Sequence, residues 1–297
     1  MTDQVLTADI AVEGPQARGV WATVRRRVLF WLPLGVLTIM MLIAVVPEPF
    51  AGLFGHPDPR VCDLSRSVKP PTAGHPFGFD VQGCDVYANV IHGARASMIV
   101  GLVCTAIALG IALVVGTLAG YVGGLLDSIL ARLTDIFLGF PFLLGAIVVL
   151  NTLGSRSVIT VALVLALFAW PTLARLVRTS VRGIRGAEYV QAATAMGLPT
   201  GRILGQYVLP NAIGPVLAVA TLTVGGVIVA ESTLTFLGLG LRAPSISWGL
   251  QLASAQAVFQ RAPHMLIYPS IFLAATVLSL MTIGDVLRDA INPRARS

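Results

Sequence analysis

The chain has 297 residues, 56% of them apolar and 11% charged, with a mean hydropathy of +0.84. That balance lies far outside the range of a soluble domain, so a soluble enzyme is excluded and an integral membrane protein is expected. The formal surplus of +6 is read as membrane topology and contact with lipid headgroups, and not as a nucleic-acid footprint.

Residues 1–27 show no hydrophobic periodicity and end in "VRRRV", which suits a cytoplasmic tail meeting anionic headgroups. Six stretches then lack a full charge for close to the ~20 helical residues that cross a bilayer core of about 30 Å: 28–47, 97–120, 136–155, 157–174, 211–230 and 262–284. The expected fold is therefore all-α and polytopic, with six transmembrane helices. The first span carries no small-residue cleavage pattern and resembles an anchor more than a removable leader. Between it and the rest lies an extracytoplasmic insert, 48–96, too small and too rich in Pro and Gly to fold as a soluble domain. Its last part, "VYANVIHGARAS", restores helical spacing and is expected to lie on the surface before the second span turns inward.

Cys62 and Cys84 both fall in this insert, where oxidising conditions permit a disulfide, whereas Cys104 lies inside the second span as packing. Glycines at 101, 110, 116 and 120 in that span allow close helix approach, which favours a packed bundle. Asp135, three residues after Arg132, is expected to pair with it. With both termini cytoplasmic, thirteen of the 20 basic residues fall inside and seven outside, which supports that orientation. Residues 97–284 form a five-helix core and 285–297 a cytoplasmic tail.

The inner segment between the fourth and fifth spans is far longer than a turn requires. Tyr189, Ala192, Ala193 and Met196 fall at i, i+3, i+4 and i+7, with Glu188, Gln191 and Ala195 on another face, which predicts an amphipathic helix at the water interface. Gly197, Leu198 and Pro199 break it, Thr200 caps a second helix, and an apolar stripe runs to Pro210. Two short helices at 186–210 make a knob on the cytoplasmic surface, and the small side chains let a partner approach the backbone.

That stretch carries the pattern A-A-x-x-x-G, nine residues, an apolar position, x, L-P, as Ala192, Ala193, Gly197, Tyr207, Leu209 and Pro210. It resembles the coupling signature of ATP-binding-cassette importer permeases, with Gln191 in place of the usual Glu and Tyr207 where the peptide branch often has His. Further blocks resemble the second-subunit type of the peptide/nickel branch: "HPFGFDVQGCD" at 75–85, "GARAS" at 93–97, "FLGLG" at 236–240, "SWG" at 247–249 and "GDVLRDAINPR" at 284–294. Cys84 stands where that family commonly has Arg. The resemblance implies a type I importer permease fold in a bacterial plasma membrane. It also implies docking of Glu188, Tyr189, Gln191, Ala192, Ala193, Met196 and Gly197 on an ATPase. The partners implied are a homologous second permease, two cytoplasmic ATPase subunits or one fused ATPase, which bind ATP and Mg, and an extracytoplasmic peptide-binding protein. The outer insert and residues 241–249 would face that binding protein. Peptide cargo follows from the same resemblance, and its length stays open.

Chemistry of the chain's own is not indicated. A phosphate loop ends in Lys, and the single lysine, Lys69, sits in "VKPP". The four histidines, His56, His75, His92 and His264, lack metal-ligand spacing, and no serine sits in a G-x-S-x-G setting. Cofactors and metals are therefore expected in partner subunits only. Glu231, at the outer end of the fifth span, is the one carboxylate placed to line the mouth of a pathway. An ion-gradient carrier or channel would also fit six spans, but it needs charges near mid-membrane that these spans hardly offer.

Overall fold

The computed structural model describes residues 28–54 and 57–291; the predicted N-terminal tail, the last six residues of the predicted C-terminal tail and His56 fall outside them. Ten helices follow in order: α1 (Val28–Val45), α2 (Pro47–Ala51), α3 (Val86–Val122), α4 (Gly124–Gly139), α5 (Phe142–Leu153), α6 (Val158–Arg185), α7 (Glu188–Ala195), α8 (Thr200–Phe236), α9 (Trp248–Ala255) and α10 (His264–Ile291). The described residues form an all-α polytopic bundle.

The spans differ from six straight rods. Four helices, α3, α6, α8 and α10, are long and apolar enough to cross, and α4 with α5 make a fifth only if a pair bent by 83° counts as one. The expected third span, 136–155, is interrupted by this bend. Phe140 is extended (φ −83°, ψ 129°) because the ring of Pro141 crowds its helical conformation, and Pro141 then leads the next helix. The predicted turn before the second span is absent as well. Asp85 caps α3 by accepting the Tyr87 N–H at 2.8 Å, and the helix runs 37 residues without a break. The apolar positions Val86, Val90 and Ile91 are buried against the bundle and do not lie on its surface.

α3 and α6 form the most extensive helix pair. Glycine makes their approach possible: a Cβ on Gly116 would lie 2.6 Å from the Ala174 carbonyl oxygen, and one on Gly120 would lie 2.6 Å from that of Arg178. Spaced four apart, these two residues let the backbones touch. Gly110, by contrast, has open space beside it. Cys104 is buried within this core. α8 and α10 pack on the other side of α3, and α1 closes against α10 through Phe30, Ile283 and Val286. Many large apolar side chains of α4 and α5, including Leu125, Ile136, Leu144 and Val148, face outward, as expected where the surroundings are hydrocarbon.

The insert is fastened at several points. Cys62 and Cys84 form a disulfide with Cα atoms 4.1 Å apart. Phe77 stacks on Tyr268 of α10 at 3.9 Å, Tyr87 donates to the Phe50 carbonyl at 2.7 Å, and His75 meets the buried Asp85 carboxylate at 2.6 Å. The bond closes a separation of 22 residues, for which chain entropy gives about 3 kcal/mol. The double variant Cys62→Ala/Cys84→Ala is expected to loosen the insert by that amount. Limited proteolysis should then cut within 57–84 much faster than in the parent, with α3 left intact.

Candidate functional site

α7 lies at the end of the bundle remote from the insert. α3 starts at the insert and runs for 37 residues, about 55 Å, and near its far end Tyr121 faces α7 across a groove. Glu188 occupies the first turn of α7, where a carboxylate favours the positive end of the helix dipole. The Gln191 amide donates to the Gly186 carbonyl at 3.1 Å and ties the helix to the end of α6.

The apolar stripe at 189, 192, 193 and 196 does not form one buried face. Val190 and Ala193 are enclosed, at 2% and 0% exposure. Tyr189 (45%) and Met196 (70%) stand outward, with Ala192 exposed beside them. Val190 and Ala193 make the inward contact, and the larger apolar side chains, Tyr189 and Met196, are left exposed on the other side. Of the predicted coupling residues only Ala193 points into the bundle.

α7 ends in a paired backbone lock. The Leu198 N–H donates to the Ala193 carbonyl at 3.2 Å and the Gly197 N–H to the Thr194 carbonyl at 3.0 Å, with Gly197 at φ +76°. Nothing lies within 4 Å of where a Gly197 Cβ would sit, so the glycine is required by conformation and not by space. Gly197→Ala is expected to cost about 1 kcal/mol through the left-handed φ alone. Faster amide hydrogen exchange at Leu198, with an unchanged melting midpoint of the bundle, is the measurement that checks it.

The predicted second short helix does not stand alone. Thr200–Ile203 continue through a π-helical turn, Leu204–Val208, directly into the long part of α8. Pro210 has no N–H to donate, which removes one regular helix bond. Around it the Leu209 N–H reaches back to the Leu204 carbonyl, and the Asn211 amide donates to the Tyr207 carbonyl at 2.7 Å. A turn of four residues, 196–199, thus separates α7 from a helix that runs 37 residues through the bundle.

Arginines line the same end. Arg178 clasps Asp127 of α4 with both guanidinium branches, the second at 2.8 Å. Arg175 takes Asp135 at 2.7 Å, displacing the expected Arg132 partner because α6 packs across α4. Arg185 lies over the Tyr121 ring at 5.8 Å. With Arg182, Val190, Gln191 and Thr194 it borders a groove of about 680 Å³ between α7 and the ends of α3 and α6.

Glu231 requires a correction. It is fully enclosed, at 0% exposure, and lines no mouth. Its carboxylate accepts the hydroxyls of Thr235 (3.0 Å), Ser232 (3.2 Å) and Ser97 of α3 (3.4 Å). Thr235 in turn accepts the Leu241 N–H at 3.0 Å, and Ser97 accepts the Trp248 N–H at 3.4 Å. Gly249 packs so tightly here that a Cβ would meet Thr235 at 2.8 Å. Sequence reading missed that the blocks at 93–97, 236–240 and 247–249 converge on this one carboxylate. The signal available was a short polar set, Ser97, Ser232, Thr235 and Ser247, in otherwise apolar segments.

The profile of the family described as "Binding-protein-dependent transport system inner membrane component" matches residues 112–297. The chain is 36% identical over 262 residues to the dipeptide transport system permease protein DppC of Alkalihalophilus pseudofirmus, covering 88% of this chain and 84% of that one. It is 33% identical over 290 residues to the oligopeptide transport system permease protein OppC of Escherichia coli, covering 97% and 94%. Among solved structures, the inward-facing MetNI methionine ABC transporter superposes with a TM-score of 0.55 at 20% identity over 68% of this chain and 96% of that one. At that identity the likeness speaks for the fold, a type I importer permease.

Proposed function

We propose a working mechanism for a chain that belongs to the ABC-importer permeases of the peptide/nickel family, with DppC- and OppC-type subunits as its near relatives. It is the transmembrane permease subunit of a peptide importer and a multi-pass inner-membrane protein. It is not itself catalytic, since ATPase activity resides in partner subunits. Membership implies a homologous second permease, ATPase subunits and a peptide-binding protein.

In this mechanism α7 is the handle by which two ATPase subunits, or one fused pair, move the permease. Closure of the ATPases around ATP and Mg shifts α7, and the unbroken α8 carries the shift across the membrane to the outer end. The cavity between the two permeases then opens to the binding protein, and hydrolysis resets it. The observation that carries this reading is the outward set Tyr189, Ala192 and Met196 on a helix whose other face is locked into the core. We count six crossings, adding α1 and the bent α4–α5 pair to the four long helices. At 18 residues α1 is about 27 Å long, close to the hydrocarbon thickness. The arginines at the α7 end support a cytoplasmic location for it, with both termini on that side.

The test is a single cysteine at Ala192 in the assembled importer, the native pair being bonded and Cys104 buried. Cross-linking to an ATPase subunit that changes yield on ATP addition supports the handle. Labelling of that cysteine by an impermeant reagent from outside the cell overturns it.

A further inference from the structure

The groove beside α7 carries more positive charge than the fold uses. Arg175, Arg178, Arg182 and Arg185 follow one another down the last turns of α6. Asp135 takes the first and Asp127 the second, and both Asp127 oxygens are engaged by Arg178. Arg182 stands 4.0 Å from that occupied carboxylate with its side chain 71% exposed, and Arg185 forms no ion pair among the described residues. Both line the groove, and none of the described residues that line it is acidic.

An apolar track ends at the same place. Ile111, Val114, Leu118 and Tyr121 lie at i, i+3, i+7 and i+10 of α3, on one helical face. The first three are large apolar side chains exposed on a helix long and apolar enough to cross a membrane, and the run from Ile111 to Tyr121 is about 15 Å. Arg185 lies over the Tyr121 ring at 5.8 Å, and Gly123 leaves room for it, since a Cβ there would come within 3.3 Å of a guanidinium nitrogen. A tyrosine closing an outward apolar track marks the level where hydrocarbon gives way to headgroups. On the α7 wall the polar donors are already used, Gln191 by the Gly186 carbonyl and Thr194 by the Val190 carbonyl. The two guanidinium groups therefore supply the uncompensated charge of the groove.

We propose that this groove binds the phosphate of one anionic phospholipid, of the phosphatidylglycerol type, in the leaflet on the α7 side, with an acyl chain laid along Ile111, Val114 and Leu118. Guanidinium groups match a phosphodiester in charge and in donor geometry. A protein seated in the groove would meet the arginines and leave the apolar track uncovered, whereas one lipid molecule answers both. Tyr189 and Met196 fall on the opposite flank of α7 from Gln191 and Thr194, so a lipid here and a partner there occupy different faces. The site goes beyond the importer mechanism and needs only the groove and the membrane.

The experiment places the complete importer in nanodiscs of phosphatidylcholine containing a small fraction of phosphatidylglycerol with a photoactivatable acyl chain, and maps the labelled peptides. Label is expected in the peptide spanning 111–122, and a phosphatidylcholine probe with the same chain should label it far less. Arg182→Gln/Arg185→Gln is expected to weaken labelling about thirtyfold, as two headgroup-level charges are lost, and Arg182→Lys/Arg185→Lys to restore most of it. Arg202→Gln, an exposed arginine of α8 that does not line the groove, should stay close to the parent. An equal melting midpoint of parent and Gln variant in pure phosphatidylcholine separates loss of the site from loss of the fold. Equal labelling by the two probes, or an Arg202→Gln loss as large as that of the double variant, overturns the proposal. So does displacement of the probe by inorganic phosphate, which marks a free-anion site, or weaker retention of the ATPase by the double variant in pure phosphatidylcholine, which marks a protein contact.

Discussion

Introducing Tyr189→Glu together with Met196→Glu is expected to abolish ATP-driven uptake and leave the permease folded. Both side chains stand outward from α7 and neither belongs to the buried core beneath it, which includes Val190 and Ala193. A surface substitution of this kind changes stability by about 0.5 kcal/mol or less. In a docked interface the same positions are an aromatic and a flexible thioether in contact with the partner. Loss of an anchor of that type costs about 2 to 4 kcal/mol, a factor of roughly 30 to 1,000 in affinity. The charges add a desolvation cost to any apolar groove that receives them. Uptake by proteoliposomes should fall by about a hundredfold or more, and the melting midpoint of the solubilised permease should stay within about 2 °C of the parent.

The control lies one residue from the exposed face. Ala193 is completely enclosed, so Ala193→Leu overpacks the seat of α7 and costs about 1 to 3 kcal/mol. That variant is expected to lose uptake and stability together. If Tyr189→Glu/Met196→Glu lost stability as Ala193→Leu does, the two faces of α7 would have been assigned the wrong way round. If it kept full uptake, α7 would not be the handle.

This division was only half legible in the sequence. The existence of α7 and its end at Gly197 follow from spacing and composition, because a glycine with open space and a left-handed φ leaves a local trace. Which side of the helix faces inward does not, since eight residues carry two candidate stripes and the choice is made by α6 and α8 packing from elsewhere. The third span shows the same limit: hydropathy reads 136–155 as one apolar run, and the bend at Phe140 and Pro141 is visible only as a proline that other spans tolerate. Pro171, Pro215 and Pro269 sit inside unbroken helices, so proline alone does not separate a break from a continuous rod.

Glu231 carries the second large expectation. Glu231→Leu removes the acceptor shared by three hydroxyls on two helices and leaves them facing an apolar group. Hydrogen bonds to an ionisable group contribute about 1.5 to 3 kcal/mol, and Ser232 and Thr235 can recover part of the loss by turning back to their own helix carbonyls. Ser97 gives more trouble, because it also accepts the Trp248 N–H and links α3 to α9. A net cost of about 3 kcal/mol is expected, seen as a lower melting midpoint and poor accumulation in the membrane. Glu231→Gln keeps one acceptor oxygen in nearly the same volume, so it should fold and retain uptake per folded molecule. A Gln variant with parental stability and no uptake would restore a direct role in the pathway. Uptake that tracks folded protein in both variants instead makes Glu231 the structural fastening between α8, α3 and the outer loop.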